Sequence, residues 1–159
     1  GEIINTDVSN LDAVLAVNVR GVWLGLHYVI PVMRDGGGGS IMLTSSGAGV
    51  KGSPNTACYN ASKHAVIGLM RCAALECAQH GIRVNTVNPG AVETRMMESI
   101  EAGFTDAGAG DFKSMVKAVT PLGRYGQPDE IANMMVFLGS DESSYCTGSV
   151  YMVDGGNAT

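Results

Sequence analysis

A chain of 159 residues, 45% apolar and 16% charged, is long enough to bury one sizeable core and is expected to form a single domain. Its net charge of −5 comes without a basic stripe, which argues against a nucleic-acid partner, because phosphates are met by clustered Lys and Arg. The four cysteines, Cys58, Cys72, Cys77 and Cys146, form no CxxC pair and no zinc spacing, so no metal site is expected. They are expected instead to be small buried hydrophobes in a reducing, cytoplasmic setting. No apolar run approaches the about 20 residues of a membrane helix and no signal peptide opens the chain, so no membrane association is expected. Gly1 in place of Met suggests part of a longer protein.

Ser9-Asn10-Leu11-Asp12 has the form of a capping box with Ser9 as N-cap. Leu11, Val14, Leu15, Val19 and Val22 then recur at helical spacing, which predicts a helix over 10–34, kinked where Pro31 removes a backbone donor. Asn18 lies on or near the apolar stripe of this helix and needs partners there. It either caps a neighbouring loop or holds a water or backbone group near a site.

Gly36 to Gly39 end the helix as a flexible turn and lack the GK[ST] ending of a phosphate loop. Residues 40–45 form a short apolar run suited to a buried parallel strand, which leads into Ser45-Ser46-Gly47-Ala48-Gly49. Small polar residues at the carboxyl end of such a strand lie where open α/β sheets bind ligands. Ser46 is therefore a candidate ligand contact, or simply a turn former.

Next comes Cys58-Tyr59-Asn60-Ala61-Ser62-Lys63. Four residues apart on a helix, Tyr59 and Lys63 share a face with Cβ atoms about 5–6 Å apart. A phenol with a pKa near 10 is a poor acid or base at neutral pH, and an adjacent ammonium lowers that value. The pair is a candidate acid/base device, although the same spacing also occurs on ordinary helix surfaces. This helix is expected to reach His80, with Val66, Leu69, Met70, Ala73, Ala74 and Cys77 on its apolar face and Gly81 as its stop. A strand over 82–87 follows and ends in Asn88-Pro89-Gly90. Strand, helix and strand in this order predict a right-handed βαβ unit.

Over 91–120, Met96, Met97, Ile100, Phe104, Phe112 and Met115 are scattered among Ala102, Gly103, Gly108 and Gly110. One or two short helices around a hinge fit this pattern, serving either as a lid over an apolar ligand or as a peripheral flap. After a turn at 121–124, Pro128, Asp129 and Glu130 start a helix in the favoured way. Ile131, Met134, Met135 and Leu138 form its apolar face. A last strand at 149–153 closes on Asp154-Gly155-Gly156.

Together these residues are far more specific than any one motif. Asn18 within Asn-Val-Arg-Gly, Ser46 at a strand end, Tyr59 thirteen residues later, Lys63 at +4 and Asn88-Pro89-Gly90 after the next strand strongly resemble the short-chain dehydrogenase/reductase family. So do Pro-Leu-Gly-Arg (121–124), Pro-Asp-Glu-Ile (128–131) and Val-Asp-Gly-Gly (153–156). None of the other four tyrosines has Lys at +4. The resemblance implies a Rossmann-type doubly wound parallel α/β sheet and an NAD- or NADP-dependent enzyme that interconverts a secondary alcohol and a ketone, as 3-oxoacyl reductases do. It implies Tyr59 as the general acid/base and Lys63 as the group that lowers its pKa and binds the nicotinamide ribose. Ser46 would stabilise the substrate oxygen, and Asn18 would hold a water in a proton relay. Pro89, Gly90, Val92 and Thr94 would face the nicotinamide. Moving a phenol from about 10 to about 7 needs about 4 kcal/mol of differential interaction, which a lysine and a cationic nicotinamide could supply in a sheltered cleft.

The chain departs from the family pattern in lacking the Gly-rich TGxxxGxG turn, the residue after the second strand that selects NAD or NADP, and the Asn-Asn-Ala-Gly stretch. Three of the family's seven strands are expected to remain, with 40–45 an unpaired edge. Family members commonly form tetramers or dimers through helices equivalent to 10–34 and 59–80, so a homo-oligomer is implied. The rival reading is a non-catalytic module that binds partners through those helices. An enoyl reductase is disfavoured, since those place the Lys further from the Tyr, while a dehydratase or epimerase relative stays open.

Overall fold

The computed structural model describes residues 1–106 and 110–158. Helix α1 (Val8–Leu15) runs through a π-helical turn (Ala16–Arg20) into α2 (Gly21–Asp35). Strand β1 (Gly39–Thr44), helix α3 (Ala57–Cys77) and strand β2 (Ile82–Pro89) follow, then α4 (Arg95–Asp106), α5 (Phe112–Val119), α6 (Pro128–Gly139) and β3 (Val150–Val153). The sheet has the order β1-β2-β3 and is parallel throughout, with Gly39 opposite Ile82, Thr44 opposite Val87, Thr86 opposite Val150 and Pro89 opposite Val153.

Alternation along the strands decides which helix covers which face. Ile82 and Val84 are buried against Leu26, Ile67, Met70, Ala73, Ala74 and Cys77, with Ile41, Leu43 and Val150 alongside. Residues of opposite parity serve the α6 side. Arg83 donates to the Leu138 and Ser140 carbonyls at 3.0 Å, and Ser40 donates to the Leu138 carbonyl at 2.7 Å. Helices therefore cover both faces, as in a doubly wound sheet, and β1 forms an edge. Val66 and Met70 on α3 are fully buried, and each such side chain contributes about 1.5–3 kcal/mol of hydrophobic stabilisation.

Several expectations are corrected. The first helix is capped by Asp7, not Ser9: the Asp7 carboxylate accepts both the Ser9 N–H and the Ser9 hydroxyl at 2.9 Å. An ionised carboxylate makes the stronger, charge-assisted cap. Pro31 lies inside α2, and a π-helical turn that was not expected falls at Ala16–Arg20, around Asn18. The continuous helix Val8–Asp35, 28 residues long, holds an 18-residue window with a mean hydropathy of 1.5 and is long and apolar enough to cross a membrane. Asn18, Arg20 and His27 had broken the sequence into shorter apolar runs. Of the cysteines only Cys77 is buried, while Cys72 is exposed and Cys58 and Cys146 are half-buried. Helix α6 starts as expected, with Pro128 in the first turn and Glu130 closing a capping box on Gln127.

The segment at 91–120 carries two helices, joined through Phe104 and Phe112 with ring centroids 4.3 Å apart. Gly108, part of the expected hinge, lies outside the described residues.

Candidate active site

The site is built where β1 runs out beside the first turns of α3. Ser45 is buried; its N–H donates to the Val87 carbonyl and its hydroxyl to the Lys63 carbonyl, both at 2.9 Å. Gly49 then passes so close to α3 that a Cβ there would lie 2.9 Å from the Lys63 carbonyl oxygen and 2.4 Å from the Ser45 hydroxyl. Only a residue without a side chain lets the loop lie this close, and the contact brings Ser46 to the helix that carries Tyr59 and Lys63.

Ser46 is half-buried. Its Oγ accepts the Ala48 N–H at 3.1 Å, which leaves its own hydrogen free to donate. Asn88, fully buried near the end of β2, donates from Nδ2 to the Ser46 carbonyl at 2.8 Å. Pro89 and Gly90 follow and are half-buried. A Cβ on Gly90 would lie 2.8 Å from the Asp154 Cα, so the end of β2 packs directly on the end of β3.

Tyr59 is 39% exposed. One turn on, the Lys63 ammonium lies 5.6 Å from the centre of the Tyr59 ring and donates to the Thr44 carbonyl at 3.1 Å. Partial burial holds the Lys63 pKa below the ordinary lysine value, because desolvation disfavours the charged form. Asn18, half-buried in the π turn, donates to the Ser62 hydroxyl at 3.0 Å, and Ser62 donates to the Tyr59 carbonyl at 2.7 Å. Asn18 thus meets α3 between Tyr59 and Lys63, at Ser62; no hydrogen bond among the described residues joins it to Lys63. π-Helical turns occur frequently at functional sites.

Val92 is half-buried and pairs with Gly126 as a short parallel bridge. Thr94 is exposed, and its hydroxyl donates to the Val92 carbonyl at 3.3 Å and accepts the Met97 N–H at 3.4 Å. The loop between Ser46 and Tyr59 is fastened at Lys51. Asn60 donates to the Lys51 carbonyl at 2.7 Å, and the Lys51 ammonium donates to the carbonyl and side-chain oxygens of Asn157 in the tail after β3. A cavity of about 450 Å³ opens beside Ala91, Pro121, Arg124, Glu130 and Asp154, but none of Ser46, Tyr59 and Lys63 lines it.

Ser45, Ser62, Gly49 and Asn88 were not singled out individually from the sequence. Asn88 carries no distinguishing mark in the sequence, because Arg83, Asn85 and Thr86 make the run 82–89 equally polar elsewhere. Ser62 carries none either, because its role depends on which residue of α1–α2 reaches it.

A parallel α/β sheet with helices on both faces, and a Tyr–Lys pair beside the carboxyl end of a strand, defines a Rossmann-like architecture with a candidate proton-transfer site. A family model described as enoyl-(acyl carrier protein) reductase matches residues 1–158. Cyclohexanol dehydrogenase from Acinetobacter sp. (strain SE19) is 42% identical over 158 residues, covering 98% of this chain and 59% of that protein. The crystal structure of levodione reductase superposes with a TM-score of 0.95 at 36% identity, covering 99% of this chain and 61% of that one. A structure of ElxO with NADP bound matches with a TM-score of 0.88 at 29% identity over the same shares. The chain belongs to the short-chain dehydrogenase/reductase family and corresponds to the C-terminal part of these relatives, spanning about 60% of their length.

Proposed function

We propose that the complete protein is an NAD- or NADP-dependent oxidoreductase interconverting a secondary alcohol and a ketone. The observation that carries this reading is the placement of Tyr59 and Lys63 on one turn of α3, with the Ser45–Gly49 loop held against the Lys63 carbonyl. In reduction the Tyr59 hydroxyl gives its proton to the carbonyl oxygen; in oxidation the phenolate takes the proton of the alcohol. Lys63 favours the phenolate electrostatically. Ser46, with its hydrogen free, donates to the substrate oxygen as charge develops there. Asn18 acts at the start of the proton path, bearing on Tyr59 through Ser62 and holding a water near the π turn.

The donors present suit the nicotinamide half of the cofactor. The Lys63 ammonium has three N–H groups, and Thr44 supplies its one recorded acceptor among the described residues. That leaves donors for ribose hydroxyls. Pro89, Gly90, Val92 and Thr94 would face the ring and its carboxamide. When bound, the cofactor supplies or accepts the hydride. Cyclohexanol dehydrogenase and levodione reductase, by their names, act on an alcohol and a ketone, which supports the substrate class. Residues 91–120, with Met97, Phe104 and Phe112 on two short helices, form the lid over a fairly apolar substrate.

The exposed Tyr28, Val29 and Val32, which helical spacing puts on one side of α2, present an apolar face that a second copy would cover in a dimer or tetramer. We place the protein in the cytoplasm, where its four free cysteines stay reduced. The same face favours a second reading, in which the 159-residue chain is a non-catalytic binding module. Nicotinamide-nucleotide titration of this chain separates the two, since absence of binding favours the module. The test of the main reading is Tyr59→Phe in the full-length protein. Turnover should fall by about 10²–10⁴-fold with nucleotide binding retained, and wild-type rates would overturn the assignment.

A further inference from the structure

Glu93 stands between Val92 and Thr94, the two residues read above as nicotinamide contacts, and it belongs to neither the proton path nor the core. Its carboxylate meets the Lys113 ammonium of α5 at 3.3 Å. Lys113 also lies over the Tyr125 ring, 5.2 Å from its centre. Tyr125 is 2% exposed and sits immediately before Gly126. The backbone around Glu93 is tied to that same point: the Glu93 N–H donates to the Gly126 carbonyl and the Gly126 N–H to the Ala91 carbonyl, both at 2.9 Å. One lysine of the lid thus contacts both strands of a short bridge that holds loop 91–94 in place. The neighbouring Gln127 amide and Lys113 hold the Glu93 carboxyl below the usual carboxylate range. Helix α4 contacts α5 through Phe104 and Phe112.

We propose that Glu93 and Lys113 are a positioning pair that couples the seating of lid helix α5 to the order of the nicotinamide-facing loop 91–94. When α5 lifts, Glu93 loses its cation and the bridge to Gly126 loosens; when α5 is seated, Val92 and Thr94 are held. The cofactor side of this inference rests on the proposed function. The coupling itself rests only on the contacts described.

The test is amide hydrogen exchange on the 159-residue chain and on Lys113→Met, Glu93→Gln and Lys113→Arg. Methionine keeps the stem of the side chain and removes its charge. Both charge-removing variants should raise exchange about two- to fivefold at the Glu93 and Gly126 amides and along α5, a magnitude set by a half-exposed ion pair. Lys113→Arg should retain protection, and the α3 core amides should not change in any variant. Faster exchange in α5 with Glu93 and Gly126 unaltered overturns the coupling, as does no change anywhere. A second arm titrates NAD and NADP. Lys113→Met should weaken binding about two- to fivefold, in the same direction as Thr94→Ala. Weakening by Thr94→Ala without weakening by Lys113→Met overturns the cofactor side. No nucleotide binding by any variant, with the exchange pattern as expected, removes the nicotinamide reading and leaves the coupling standing.

Discussion

The side-chain amide of Asn18 donates to the hydroxyl of Ser62 at 3.0 Å, across 44 residues of sequence. Ser62 is fully buried and lies between Tyr59 and Lys63 on α3. Its hydroxyl accepts from Asn18 and donates to the Tyr59 carbonyl at 2.7 Å, so both of its hydrogen-bonding roles are used. The π turn at Ala16–Arg20 and the helix that carries the candidate acid/base are joined at this one atom.

Ser62→Ala should leave the Asn18 amide short of its partner in a half-buried setting. The expected loss is about 1 kcal/mol, a fall in melting temperature of about 2–4 °C for a domain of this size. Asn18→Ala should cost a similar amount. The double variant should cost less than the sum, because the two changes remove one shared bond. Thermal unfolding of the four proteins measures this, and strict additivity would show that the bond contributes nothing.

Lys63 should carry a stability cost, which the proposed function would explain. Its folded pKa is depressed by desolvation, so between that value and the ordinary lysine pKa the unfolded chain binds more protons than the folded one. The contribution of Lys63 is therefore unfavourable at neutral pH, where the ammonium is charged in both states, and is relieved as pH rises through the window below 10.5. Lys63→Met should be more stable than the parent at pH 7, with the difference shrinking towards pH 10. Its activity in the full-length protein should fall by about 10²-fold or more, within the general acid–base range. Urea unfolding across pH tests the first part and steady-state rates the second.

Gly90 is constrained by contact. An added Cβ would sit 2.8 Å from both Cα and Cβ of Asp154 and 3.1 Å from its carbonyl oxygen. Neither strand end can yield without disturbing the β2–β3 register. Gly90→Ala should lose about 1–3 kcal/mol, the usual cost of overpacking, read as a lower denaturation midpoint in urea. An unchanged midpoint would mean that the ends of these strands are slack.

Glu130 should set part of the acid sensitivity. Arg124 meets it through two bonds of 2.7 and 2.8 Å, and the Gln127 N–H adds a third at 2.7 Å. Together they hold its pKa down at about 2. A depressed carboxylate contributes stability above its unfolded pKa of 4.5, and that contribution is lost as pH falls towards about 2. The stability difference between the parent and Glu130→Gln should be constant above pH 5 and should vanish near pH 2. A difference independent of pH would assign the effect to shape.

Much of this molecule follows from local spacing. Tyr59 and Lys63 share a face because any helix places residues four apart together. Gly81 stops α3 and Pro128 with Glu130 starts α6 because caps and breakers act within a turn. The order of strand, helix and strand was legible for the same reason, whereas the family resemblance gave Asn18 and Ser46 their roles and alone made Pro89, Gly90, Val92 and Thr94 candidates. Only the tertiary structure decided what those residues touch. That Asn18 meets Ser62, that the Lys63 ammonium meets Thr44, and that Asn88 carries the Ser46 carbonyl all depend on how far one element is rotated and slid against another. The Asp7 cap shows the limit even locally: Ser9 was the expected cap, and the carboxylate two residues before it takes the Ser9 N–H instead. Lys113 reaching Glu93 and Tyr125 together was beyond any periodic pattern, because three segments separated by some twenty and a dozen residues had first to be packed on the end of one sheet.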